Sequence, residues 1–122
     1  MGRSNHLVIK LASGVDEAER VAQAFSVATT ALASGVAVSL WLTGEASWLA
    51  LPGKAEEFRL EHAAPLHELL ASLIENAHVT LCTQCAVRRG IVDGDQISGI
   101  RIAGSATFVE EIMREETQAL VY

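Results

Sequence analysis

Cysteine is scarce in this chain, basic residues are outnumbered, and no apolar run is long. Each shortage excludes a class of protein. Two cysteines in 122 residues cannot form a disulfide framework, so the fold must stand on its core. With 9 basic against 15 acidic residues and a formal net charge of -6, the surface is the wrong sign for nucleic acid, which needs a basic face. The same balance argues against anionic membranes. No apolar stretch reaches the roughly 18 residues of a membrane span. The N-terminal stretch lacks the basic, apolar and small-residue segments of a secretory signal. The expectation is a cytoplasmic protein with reduced thiols. There is no internal repeat, linker, low-complexity tract or Gly-rich phosphate-binding fingerprint. Aromatics make up only 5% of the chain while half of it is apolar, which leaves Ala, Val and Leu to pack helices closely on a sheet. The size and composition predict one globular domain over residues 1–122.

Apolar segments come in two kinds that alternate. His6 to Leu11, Val36 to Leu42, the run beginning at His78, Gly99 to Ala103 and Thr117 to Tyr122 read as strands. The second is apolar nearly throughout, as a strand covered on both faces would be. Between them lie helical periods. Asp16 and Glu19 read as an N-cap and capping-box pair ahead of Val21, Ala22, Phe25, Ala28 and Leu32, and Gly35 reads as the stop. Pro65 fits the first turn of a helix carrying Leu66, Leu69, Leu70, Leu73 and Ile74. Leu49 to Glu61 has no clean period. Ser105 reads as the cap of a last helix with Phe108, Val109, Ile112 and Met113 on one face. Its acidic run, Glu110-Glu111 and Glu115-Glu116, reads as a solvated face. Alternation of this kind predicts a three-layer α/β/α sandwich on a mostly parallel five-stranded sheet.

Ligands of such sheets sit at the carboxyl ends of the strands. That gathers Ser13 and Gly14, Thr43 to Trp48 with Gly44 and Glu45, Cys82 to Cys85 with Thr83, and Gly104 with Ser105 as candidate site residues. Glu45 reads as a pocket carboxylate or a solvated loop residue, and Trp48 as a pocket wall or a subunit contact. Trp41 reads as core or interface. His6, His62, His67 and His78 are scattered and do not converge in sequence.

The richest stretch runs His78-Val79-Thr80-Leu81-Cys82-Thr83-Gln84-Cys85-Ala86-Val87-Arg88-Arg89-Gly90-Ile91. It reads as a strand, a turn and a short helix stopped by Gly90. Cys82 then ends the strand, where amides of the next turn would face its sulfur and lower its pKa. Arg88 or Arg89 would add positive potential near Cys85. The Cys-x-x-Cys fits a redox dithiol, half a zinc site, a persulfide carrier or buried packing. Aromatic-Gly-Pro flanks are absent, which weakens the first. A second Cys pair is absent, which weakens the second.

This stretch, together with Ala12-Ser13-Gly14, Glu19-Arg20, Ala33-Ser34-Gly35-Val36 and Leu42-Thr43-Gly44-Glu45, resembles the DsrE/DsrF-like family. The likeness covers most of the chain. It implies sulfur relay through a persulfide on Cys82, with Cys85 as helper or resolving thiol. Such exchange between thiolates needs no cofactor, and the residues themselves suggest no metal site; the alternatives are a small-ligand or partner-binding module of the same fold without turnover, and a redox sensor that forms a Cys82–Cys85 bond. The resemblance also implies a homo-oligomer, or pairing with related subunits, and a protein that donates or accepts the sulfur.

Overall fold

A computed structural model describes residues 5–122. Its sheet contains β1 (His6–Leu11), β2 (Ala37–Leu42), β3 (His78–Cys82), β4 (Arg101–Ala103) and β5 (Thr117–Val121), in the spatial order β4-β3-β2-β1-β5. Every neighbouring pair is parallel. The helices are α1 (Ala18–Ala33), α2 (Lys54–Glu57), α3 (Leu66–Asn76), α4 (Thr83–Arg88) and α5 (Ser105–Ile112), with 3-10 turns at Val15–Glu17 and Gly44–Ala50. The expected three-layer α/β sandwich is therefore present, and all five strands are parallel.

The order fixes which face each helix takes. The chain steps from β1 to β2 to β3 to β4 in one direction, so right-handed crossovers put α1, α3 and α4 on one face. From β4 it returns past β1 to form β5, and α5 must cross the other face. Strand alternation separates the side chains accordingly. Ile9, Leu11, Val38, Leu40, Leu42, Val79 and Leu81 point into a continuous apolar core with Val21, Phe25, Leu70 and Leu73 of α1 and α3. Val8, Ser39, Trp41 and Thr80 are equally buried on the alternate positions.

That second face is thinly covered. α5 has 8 residues, about 12 Å of helix. The span from β4 to β5 is four strand spacings, about 19 Å. The gap is bridged by polar contacts. Ser39 Oγ donates to Glu111 Oε1 at 2.6 Å and Trp41 Nε1 donates to the same oxygen at 3.1 Å. Arg101 of β4 donates through Nη2 to Glu111 Oε2 and through Nε to Thr80 Oγ1 at 2.6 Å. Trp41 meets Phe108 edge-on at 5.3 Å between ring centres. Glu111 is thus buried and fully partnered. The expectation of a wholly solvated acidic face is corrected here: helical spacing turns Glu111 toward the sheet, while Glu110, Glu115 and Glu116 are exposed. Burial raises the Glu111 pKa, but the Ser39, Trp41 and Arg101 hydrogen bonds and the Arg101 charge outweigh it and hold it below the ordinary value.

Several local expectations are also corrected. Asp16 does not cap α1. It lies in the 3-10 turn, where its Oδ1 accepts the Gly14 N–H at 3.3 Å, and α1 starts two residues later without a side-chain cap. Ser105 is the first residue of α5 rather than its cap; Gly104 takes that place. Pro65 stands just before α3 rather than inside it. The unperiodic stretch after Trp48 holds only the four-residue α2. Val36, Gly99, Ile100 and Tyr122 fall outside the strands. Gly35 does end α1, at φ 88°.

Glu111→Ala strips Ser39, Trp41 and Arg101 of their shared acceptor and is expected to cost about 3 kcal/mol, read by urea denaturation at neutral pH. The folded pKa of Glu111 lies below its unfolded value of about 4.3. Its contribution is therefore complete above that value and is lost as pH falls through the lower, folded one. The difference in stability between the native chain and Glu111→Gln is expected to shrink over that acid window.

Candidate functional site

Registry brings the strand ends together. Leu11 pairs with Leu42, Leu42 with Leu81, and Cys82 with Ala103. β1, β2, β3 and β4 consequently release their loops along one rim. At β3 the chain leaves toward α4 on the apolar face, and at the adjacent β4 it leaves toward α5 on the polar face. Neighbouring strands whose connections part in this way form the crevice where ligands of open parallel sheets bind. Cys82 and Thr83 stand on one side of it and Gly104 and Ser105 on the other. A Cβ at Gly104 would lie 3.7 Å from Thr83 Oγ1. Thr83 and Ser105 are both exposed.

The loops after β1 and β2 are pressed together by hydrogen bonds. The Thr43 N–H and Oγ1 both donate to Leu11 O, at 2.9 and 3.0 Å, and the Glu45 N–H donates to Ala12 O at 3.3 Å. Little room remains. A Cβ on Gly44 would meet Ala12 O at 2.6 Å, and one on Gly14 would meet Glu45 O at 2.8 Å. Gly44 also has φ 50°, a left-handed conformation costly to residues with a Cβ. This tight passage leaves the Gly44 N–H free of the backbone, and it donates to Cys85 Sγ at 3.2 Å.

Cys82 ends β3 and is the N-cap of α4, but its side chain makes no capping hydrogen bond. The expectation that amides of the next turn steady the Cys82 sulfur is not met. The donors converge on Cys85 instead, because the 3-10 turn after β2 packs over the third residue of α4. Cys82 stands three residues before Cys85, at the N-cap of the same short helix. Arg89 donates through Nη1 to Cys85 O at 3.1 Å, and through Nε and Nη2 to Glu45 Oε2 at 3.2 and 2.7 Å. It thereby ties α4 to the loop that carries Gly44. Burial pushes the Cys85 thiol up. The Gly44 N–H, the Cys82 thiol and the Arg89 and Arg88 charges together pull it further down, to a net value below that of an ordinary thiol. Both cysteines are free and half-buried. The arrangement is that of a stabilised thiolate beside a second thiol.

Next to Glu45 opens a cleft of about 350 Å³ lined by Val15, Glu45, Trp48, Leu49, Lys54 and Glu57. Trp48 therefore stands in a cleft wall, 37% exposed. Ser13 is half-buried in the first loop with no side-chain contact to the cysteines among the hydrogen bonds of the described residues. Sequence reasoning missed the exposed Val15, Lys54 and Glu57 of this cleft; an apolar residue exposed straight after the first strand's turn was the available signal. It also left Glu45 and Arg89 unconnected, since 44 residues part them. Among the described residues no group of three His, Cys, Asp or Glu side chains is placed to hold a metal ion.

A doubly wound parallel sheet with a paired-thiol turn at its switch point defines the class. Within it, the chain belongs to the DsrE/DsrF-like family, whose model matches residues 6–117. Two solved structures share the fold. The YchN protein of E. coli superposes with a TM-score of 0.69 at 17% identity, over 100% of both chains. A protein of unknown function from Methanobacterium thermoautotrophicum does so with a TM-score of 0.74 at 12% identity, over 96% of this chain and 98% of that one. Among curated proteins none matches the sequence.

Alkylation with iodoacetamide, located by peptide mapping, is expected to label Cys85 faster than Cys82 at neutral pH, with a midpoint below the free-thiol value of about 8.5. Gly44→Ala forces the left-handed turn against Ala12 O. It is expected to slow Cys85 labelling and to lower stability by at least about 1 kcal/mol.

Proposed function

We propose that the chain is a sulfur-transfer protein that carries sulfane sulfur as a persulfide on its cysteine pair. The observation that carries this function is the Gly44 N–H aimed at Cys85 Sγ beside the Cys82 thiol. A thiolate attacks a sulfane sulfur, and the donor that steadies the thiolate also steadies the persulfide anion formed from it. The family pattern puts the carrier at Cys82. The donors favour Cys85 as the first acceptor, with Cys82 next to it. Such exchange uses no cofactor.

Two further parts of the proposal have their own support. The chain works as a homo-oligomer: Val109 on α5, Met113 just past its end and Val121 on the edge strand β5 are 51%, 75% and 70% exposed, and they flank the thinly covered face. Sulfur arrives from a persulfide donor and leaves to a thiol partner that reaches the rim beside the cleft. The chemistry belongs to a compartment that keeps thiols reduced, the cytoplasm. No described helix is long and apolar enough to cross a membrane.

The cleft at Trp48 favours one rival, a ligand-binding module without turnover. After treatment with a persulfide donor in excess, the Cys82→Ser chain is expected to gain the mass of one sulfur, lost again on reduction. Cys82→Ser/Cys85→Ser is expected to gain none. No adduct on any single-cysteine chain leaves the binding module as the better account. Sedimentation of the native chain above the monomer, collapsing on Met113→Glu, is the expected outcome for the oligomer.

A further inference from the structure

The second thiol lies where a one-cysteine relay needs nothing. An acceptor draws off the outer sulfur of a persulfide; the inner sulfur stays with the protein. Here a second thiol stands one turn from the inner one: Cys82 and Cys85 are the N-cap and third residue of one helical turn. Cα atoms three residues apart in a helical turn stand about 5 Å from each other, inside the Cα span of roughly 4.4–6.8 Å that a disulfide bridges. Cys82 has no capping hydrogen bond that would hold it away from its neighbour. The Arg89 side chain, fixed to Cys85 O and to Glu45, keeps positive charge beside the turn, where a leaving anion would form.

We propose that Cys82 is a resolving thiol, and that the pair reduces the sulfur it takes up and releases it as hydrogen sulfide. This rests on the sulfur-transfer function above. The steps balance. Cys85 as thiolate attacks the outer sulfur of a donor persulfide, R–S–SH; the donor's S–S bond breaks and R–S⁻ leaves, so Cys85 holds –S–SH. At neutral pH this loses its proton to the departing thiolate and becomes –S–S⁻. The Cys82 proton then passes to that outer sulfur as the Cys82 sulfur attacks Cys85 Sγ. The Cys85–outer sulfur bond breaks, its electron pair goes with the outer sulfur, and HS⁻ departs. The two cysteine sulfurs are oxidised to a disulfide and the sulfane sulfur is reduced to sulfide. The sum is R–S–SH plus the dithiol giving R–SH, H₂S and the disulfide. An external dithiol reductant, for which dithiothreitol serves as probe, returns the pair to its starting state.

Acceptor and Cys82 thus compete for one persulfide at different sulfurs. With an acceptor thiol docked, the sulfur is passed on; without one, it is discharged. The substrate class is a small-molecule or protein persulfide, and the chain becomes a persulfide reductase whenever a dithiol is supplied.

The test uses the full reduced chain, freed of reductant and given glutathione persulfide in substoichiometric amount. Sulfide is read with an electrode and the protein is weighed intact. The native chain is expected to release sulfide stoichiometric with the persulfide added and to lose the mass of two hydrogens. Cys82→Ser keeps a good helix N-cap. It is expected to retain one added sulfur and to release on the order of tenfold less sulfide. Cys85→Ser supplies the background, and circular dichroism checks that each variant is folded. A native chain that keeps the added sulfur and releases no sulfide overturns the resolving step while leaving sulfur transfer intact. So does Cys82→Ser releasing sulfide as fast as the native chain. If neither Cys82→Ser nor Cys85→Ser takes up sulfur while folded, sulfur transfer falls and the resolving step with it; sulfur on Cys85→Ser but not on Cys82→Ser overturns the resolving step alone. Cys82→Ala repeats the comparison without a hydroxyl.

Discussion

A single donor, the Gly44 N–H at 3.2 Å from Cys85 Sγ, joins the fold of this protein to its chemistry. It exists because the loops after β1 and β2 pass so closely that neither Gly14 nor Gly44 has room for a Cβ. Backbone amides near a sheet rim are normally taken up by turns or by water. Here Thr43 and Glu45 bind the first loop through Leu11 O and Ala12 O, and the amide between them is turned outward by a left-handed residue. A side-chain donor could swing away from the sulfur. An amide locked between two strands cannot, which makes the stabilisation of a thiolate a property of the backbone.

The sheet is asymmetric, and the asymmetry places the site. Three helices cover one face with aliphatic packing, and one short helix crosses the other. Where α5 falls short, a buried carboxylate with three donors takes over from apolar contact. Such a group contributes little net stability against a hydrophobic replacement, yet removing a partner is costly. It fixes α5 relative to β2 and β4. That in turn holds Gly104 across the crevice from Thr83.

Much of this was legible from residue order. The alternation of β-rich runs with helical periods gave the layers, and His6–Leu11 matched to the residue. Cys82 stands at the end of β3, as the apolar run before it requires. Local readings were weaker at helix starts. Asp16 and Ser105 are good capping residues, but turn geometry, which depends on neighbouring loops, chose Glu17 and Gly104. Glu111 was not legible because an acidic pair on a surface helix is usually solvated; its partners come from two other elements, Ser39 and Trp41 of β2 and Arg101 of β4.

Sequence alone determined the sheet, its parallel order of construction, the family likeness and the meeting of two thiols in one turn, because these depend on periodicity and on neighbours a few residues apart. Tertiary structure decided which sulfur the Gly44 N–H reaches. Spacing pointed to Cys82, the residue nearest the strand end. The donors reached Cys85, because they come from Gly44 and Arg89, and only the pairing of β2 with β3 brings Gly44, some forty residues upstream, against that sulfur.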